Sequence, residues 1–175
     1  MTRDCFSEYE RRKKMTLDIN EHLETLFDLA LKCPHITEFG VREGHSTVAL
    51  AAGRPDIFCS YDIHEPDAEL IAMVKACVPT YQFHLDDTRK AVIKPTTMLF
   101  IDTYHTYEHL SQELDRHADK VWNYIVLHDT ETFGEQGEDG STPGLMAAVE
   151  GLMAKGEWVK MTHYSNNNGL TILER

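Results

Sequence analysis

The residues of this chain that are able to do chemistry stand at regular stations. Five short apolar runs each close on acids, hydroxyls or imidazoles. Glu38, Gly40, Gly44 and Ser46 stand at the exit of "ITEF", and Asp62 and His64 at the exit of "IFCSYDI". Asp86, Asp87 and Thr88 follow "YQFHL". Asp102, Tyr104 and His105 close "TMLFID", and His128, Asp129 and Thr130 close "YIVLHD". Every exit therefore carries a carboxylate. Such groups hold cations, accept from hydroxyls and ligate hard metals, and a neighbouring His is the side chain best poised to move protons near neutral pH.

Stations of this kind need rigid elements to position them. A first helix fits residues 16–32, with Ile19, Leu23, Phe27 and Ala30 on one face and Cys33-Pro34 closing it. Apolar runs then alternate with helix-period segments: a helix from Ser46, one bearing Leu70, Ile71, Val74 and Cys77, a short one near 88–93, and one bearing Tyr107, Leu110, Leu114 and Val121. The fourth and fifth runs are apolar almost throughout, as strands covered on both faces by helices would be. A helix with Pro143 in its first turn follows and ends at Gly156. "EWVKMTHY" and "LTILER" then come directly after one another, joined by "SNNNG", and so short a turn makes them antiparallel. The plan is an α/β, Rossmann-like doubly wound, mostly parallel seven-stranded sheet ending in an antiparallel hairpin. In such a sheet ligands bind outside the carboxyl ends of the strands, where the five stations fall.

Composition limits the partners. A length of 175 residues suits one domain, expected over 1–175 with 1–15 as a loosely ordered segment. A formal charge of -12, from 17 basic against 29 acidic residues, repels polyanions, so nucleic acid is not an expected partner. The basic run "RRKK" at 11–14 reads as a solvated, frayed stretch. No segment reaches the roughly 18 apolar residues of a membrane span, so no membrane partner is expected. Cys5, Cys33, Cys59 and Cys77 show no CxxC spacing, and no signal-peptide core begins the chain, which reads as a reducing, cytoplasmic setting. Cys59 and Cys77 are expected as small core residues.

The glycine turn narrows the ligand. A dinucleotide site wants GxGxxG, so that backbone and helix N-terminus can approach a pyrophosphate. Here the spacing is G-V-R-E-G, and Glu38 ahead of it would repel phosphate. Glu38 suits an ammonium instead. Asp62, about twenty residues beyond the turn, is placed to accept from ribose hydroxyls. A nucleoside with a cationic amino-acid tail and no phosphate satisfies both, which describes S-adenosylmethionine. Taken singly, Glu38 could cap a helix and Asp62 could end a strand in a turn. Their joint placement favours the ligand.

The stretches "EFGVREGHS", "YDIHEPD", "LDDTRK", "LFIDTYHTYEHLSQEL", "IVLHDT" and "NNGLTILER", in that order, resemble the class I S-adenosylmethionine-dependent methyltransferases. The resemblance is to the small-molecule O-methyltransferase branch with the catechol O-methyltransferase-like, methyltransferase domain 24 and cephalosporin-hydroxylase-like proteins, from about residue 35 to the end. It implies that Glu38, Gly40, Gly44 and Ser46 surround the methionine portion of the cofactor, that Asp62 holds the ribose, and that Asp87 and Thr88 lie near the adenine. It implies Asp102 beside the methyl donor, and Asp102 with Asp129 as magnesium ligands in metal-dependent members. Two positions depart from the catechol type: Thr130 replaces an asparagine, and His105 replaces a lysine base.

Methyl transfer to a hydroxyl needs an in-line nucleophile and removal of its proton, and His105 and then His128 are the candidate bases. Asp102 and Asp129 with water and substrate oxygens could complete an octahedral Mg²⁺ site. Asp102, His105, His128 and Asp129 also contain a two-His-one-carboxylate iron set. If the strand continues through His128 and Asp129, their side chains point to opposite faces, which disfavours that set. The segment "ETFGEQGEDGST" at 131–142 reads as a mobile lid or a solvated loop. The expected activity is methyl transfer to a small-molecule acceptor, at oxygen. The alternatives are a metal-dependent hydroxylase-like enzyme of the same fold group and a non-catalytic nucleotide-binding module. The helices and the terminal hairpin could also supply a homodimer face.

Overall fold

The computed structural model describes residues 4–175. Seven strands form a mixed sheet in the order β3-β2-β1-β4-β5-β7-β6, the doubly wound plan expected from the apolar runs, with the antiparallel hairpin at its end. The described residues divide into two compact units, one ending at Asp87 and the other running from Thr88 to Arg175.

The first unit holds α1 (Cys5–Arg12), α2 (Leu23–Ala30), β1 (His35–Phe39), α3 (His45–Ala52), β2 (Ile57–Asp62), α4 (Ala68–Cys77) and β3 (Gln82–Leu85). β1 pairs with β2 and β2 with β3, all parallel. Helix α3 has no amphipathic stripe: Ser46 through Ala52 are all buried. It is therefore a core helix.

The segment expected to fray at the N-terminus is structured from Cys5. Tyr9 is buried and stacks on Phe27 at 4.8 Å. Asp4 caps α1 by accepting from the Ser7 N–H. The basic run is used internally: Arg11 and Arg12 both hydrogen-bond Glu8, Arg12 also donates to the Glu43 carbonyl, and Lys13 pairs with Glu24 at 3.1 Å. The helix expected over 16–32 is shorter, a 3-10 turn at Asn20–His22 followed by α2. Cys59 and Cys77 are half-buried, whereas Cys5 and Cys33 are the buried thiols.

The second unit holds β4 (Thr96–Ile101), α5 (Tyr107–His117), β5 (Val121–His128), α6 (Leu145–Met153), β6 (Lys160–Tyr164) and β7 (Leu170–Glu174). β4 and β5 are parallel, and β7 is antiparallel to both β5 and β6. All six residues of β4 are buried, and burying side chains such as Leu99 and Phe100 contributes about 1.5–3 kcal/mol each.

Three expectations need correction here. No helix forms over 88–93, because the Lys90 and Ala91 carbonyls accept from the Arg116 guanidinium instead of from helical N–H groups. Val121 opens β5 rather than closing α5. Helix α6 starts at Leu145, beyond Pro143. Among the described residues no helix is long and apolar enough to cross a membrane.

Candidate active site

In the first unit the turn after β1 is built on left-handed backbone. Gly40, Arg42 and Gly44 have φ of 86°, 49° and 73°. A Cβ at Gly44 would run into the Leu70 side chain of α4, so this glycine is needed for space as well as for φ. The Gly40 N–H donates to the Tyr61 carbonyl at 2.9 Å, which ties the turn to β2.

Asp62, the last residue of β2, organises that turn. Its Oδ2 accepts from the Val41 and Arg42 N–H groups at 2.7 and 3.2 Å, and its Oδ1 accepts from the His64 N–H at 2.9 Å. Glu38 binds α3 and β2 instead. It is fully buried, and its two oxygens accept from the hydroxyls of Ser46 (2.7 Å), Thr47 (2.9 and 3.1 Å) and Ser60 (2.6 Å). Those partners differ from the ammonium expected of it: Glu38 and Ser46 are brought together, but against each other. Glu38 thereby fastens the start of α3 to two strands. Asp87 is half-buried, and its N–H donates to Asp86 Oδ1.

The second unit gathers titratable groups more densely. His105 Nε2 lies 3.2 Å from Asp102 Oδ1 and 3.1 Å from Asp129 Oδ2, and its Nδ1 lies 3.0 Å from Glu138 Oε2. Carboxylates only accept, so both ring nitrogens carry hydrogen and His105 is an imidazolium. Burial works against that charge, but the hydrogen bond and charge of Asp102, with Asp129 and Glu138 behind them, raise its pKa to about 9. As placed, the first candidate base is already protonated and must lose that proton before it can take one. Burial also opposes ionisation of Asp102, and hydrogen bonds from His105 and His128 overcome it and hold the carboxyl well below the usual range. The His105 ring is further fixed by stacking on Phe133 at 4.9 Å.

His128 joins the same carboxylates from the other side, with Nδ1 3.5 Å from both Asp102 Oδ2 and Asp129 Oδ1. The alternation expected of His128 and Asp129 is broken because β5 ends at His128 and Asp129 adopts φ 59°. That left-handed residue turns both side chains toward one cluster, so the geometric objection to a His-containing metal set fails. Ligand atoms of Asp102, His128 and Asp129 all lie within 4.8 Å of one another.

No protein-family model matches the chain, and no curated protein matches it. Solved structures do. The N-methyltransferase NodS from Bradyrhizobium japonicum WM9, in complex with S-adenosyl-L-homocysteine, aligns over 98% of this chain and 97% of its own, with a TM-score of 0.64 at 11% identity. A putative caffeoyl-CoA O-methyltransferase from Staphylococcus aureus aligns over 97% and 88%, with a TM-score of 0.65 at 13% identity. The MycE methyltransferase of the mycinamycin pathway, in complex with Mg and S-adenosylhomocysteine, covers 99% of this chain and 55% of its own, with a TM-score of 0.68 at 15% identity. The chain shares the fold of these three structures. At these identities the likeness speaks for the fold alone.

Two polar features escaped sequence reasoning. Glu138, from the loop 131–142, reaches His105 with its side chain, and its N–H donates to the His105 carbonyl at 2.9 Å. One acid among four in that loop gives no signal of its own. Glu113 is fully buried on α5 and accepts from the hydroxyls of Thr88 (2.5 Å) and Thr103 (2.9 and 3.0 Å). The spacing His109, Glu113, His117 on one helical face was its only trace in sequence. Thr88, expected near an adenine, has its hydroxyl committed to Glu113.

Proposed function

We propose that this protein binds S-adenosylmethionine and transfers its methyl group to a hydroxyl of a small-molecule acceptor. The single observation that carries the reading is the near end-to-end likeness of the fold to a methyltransferase complexed with S-adenosylhomocysteine. S-adenosylmethionine supplies an electrophilic methyl on a sulfonium.

The chain's own residues would do the rest. Gly40 and Gly44 let the backbone of the first turn come close to a ligand. Asp62 holds that turn and, since each carboxylate oxygen has two lone pairs, its Oδ1 retains capacity for a ribose hydroxyl. Glu38 contributes by fixing α3 against β2 rather than by direct contact. In the second unit Asp102, His105, His128 and Asp129 are the acceptor-side groups. As a C–O bond forms and the C–S bond breaks, the hydroxyl proton passes to His105 once that ring has given up its own, with His128 as the second candidate. A divalent ion on Asp102 and Asp129 would lower the acceptor's pKa and orient it.

Calorimetric titration with S-adenosylmethionine, S-adenosylhomocysteine and NAD, each with a divalent ion or with chelator, tests this reading. Both S-adenosyl ligands are expected to bind and NAD to fail, with Asp62→Ala weakening the former. If neither S-adenosyl ligand binds in either condition, the reading is wrong. A second reading, a metal-dependent hydroxylase-like enzyme, draws on the two imidazoles and two carboxylates of the cluster. Production of S-adenosylhomocysteine across an acceptor library separates methyl transfer from that reading and from a binding module without turnover.

A further inference from the structure

His128 is almost fully buried, and its Nε2 lies 3.3 Å from the carbonyl oxygen of Asn167. A carbonyl can only accept, so Nε2 carries the hydrogen and Nδ1 is turned toward Asp102 Oδ2 and Asp129 Oδ1, each at 3.5 Å. A bare lone pair facing two carboxylates is repulsive, so either a proton or a metal ion stands among these three atoms, and an ion that binds there displaces the proton. The 3.5 Å separations sit at the outer edge of hydrogen bonding. They are close to the spacing of about 3.4 Å between two ligands that each stand about 2.1 Å from a tetrahedral ion. The remaining oxygens, Asp102 Oδ1 and Asp129 Oδ2, are engaged by His105, which fixes how both carboxylates present themselves. A ligating His whose other N–H is held by a backbone carbonyl is the usual outer support of a metal site.

We propose that Asp102, His128 and Asp129 form a mixed nitrogen and oxygen face for one divalent transition-metal ion in preference to Mg²⁺. Mg²⁺ takes oxygen ligands, whereas an imidazole donor favours Zn²⁺, Co²⁺ or Fe²⁺. The next oxygen donor in the chain, Thr130, is buried and accepts from the Thr171 hydroxyl at 2.9 Å, so the set gains a nitrogen where an all-oxygen site would need another oxygen. The ion deepens the methyl-transfer reading, yet it is argued from the second unit alone, so ion binding and S-adenosylmethionine binding fail separately.

The test is calorimetry of the chelator-treated full chain with Zn²⁺, Co²⁺ and Mg²⁺, each as the metal alone. One Zn²⁺ or Co²⁺ per chain is expected, bound far more tightly than Mg²⁺. His128→Gln should weaken Zn²⁺ by more than the roughly 10–100-fold cost of losing an outer-shell partner, and leave Mg²⁺ nearly unchanged. His64→Ala, which removes an exposed imidazole, should change nothing. Equal affinity for Mg²⁺ and Zn²⁺, absence of ion binding, unchanged Zn²⁺ affinity in His128→Gln, or loss of binding in His64→Ala would each overturn the proposal. Should His128→Gln not fold, spin-echo spectra of Mn²⁺ bound to the unaltered protein decide: histidine nitrogen coupling supports the site, and its absence overturns it.

Discussion

Glu38 and Asp102 are acids at the carboxyl ends of β1 and β4, yet the protein uses them oppositely. Glu38 is sealed away and held by hydroxyls from three residues. Asp102 remains partly accessible and is surrounded by imidazoles that can gain, lose or share protons. Neutral hydroxyl donors fix a shape, whereas titratable donors leave a charge balance that a ligand can alter. In the first unit Glu38 is thus committed to architecture, whereas in the second Asp102 and Asp129 face imidazoles.

The largest expected effect lies on the chemical side of that contrast. His105→Ala should leave S-adenosylmethionine affinity intact and slow transfer by about 10²–10⁴-fold, as loss of a positioned acid or base does. Turnover at the original rate would remove His105 from the mechanism. On the architectural side, Glu38→Ala leaves three buried hydroxyls without their acceptor and should cost about 3 kcal/mol in urea unfolding. Asp102→Asn keeps an acceptor oxygen for His105 but gives up the charge its imidazole partners stabilise, and should cost less than Glu38→Ala, about 1.5 kcal/mol. Similar losses for the two variants would break the contrast.

A smaller effect separates the units by pH. Glu8 is held down to about 2, by its hydrogen bond from Arg11 and, against the opposing pull of burial, by Arg12. Its contribution to stability is present above its ordinary value of 4.5 and is lost as the pH falls toward 2. His105, raised to about 9 from 6.5, contributes fully below 6.5 and loses that contribution as the pH rises through 9. In chelator, Glu8→Gln should flatten the acid limb of the stability curve and His105→Gln the alkaline limb. If the two variants exchange limbs, or leave both unchanged, the charge assignments are wrong.

The strand exits were legible because each parallel strand is an apolar run and its exit is where polarity returns. Asp102, His105, His128 and Asp129 were named from that pattern and do converge. Partner identity was not legible. The hydroxyls that occupy Glu38 lie 8, 9 and 22 residues away, and periodicity carries no information about pairs so far apart. The turn over 88–93 was misread as a helix because its carbonyls are satisfied by Arg116, a side chain 25 residues on. The facing of His128 and Asp129 was misread because a strand was assumed to continue one residue too far.

That last residue also dictates how the site can be probed. At φ 59° Asp and Asn are far better tolerated than Ala, so Asp129→Asn is the substitution that subtracts a charge while conserving the bend. Asp129→Ala would perturb backbone and electrostatics together. Any phenotype it gave would be uninterpretable without the Asn variant beside it.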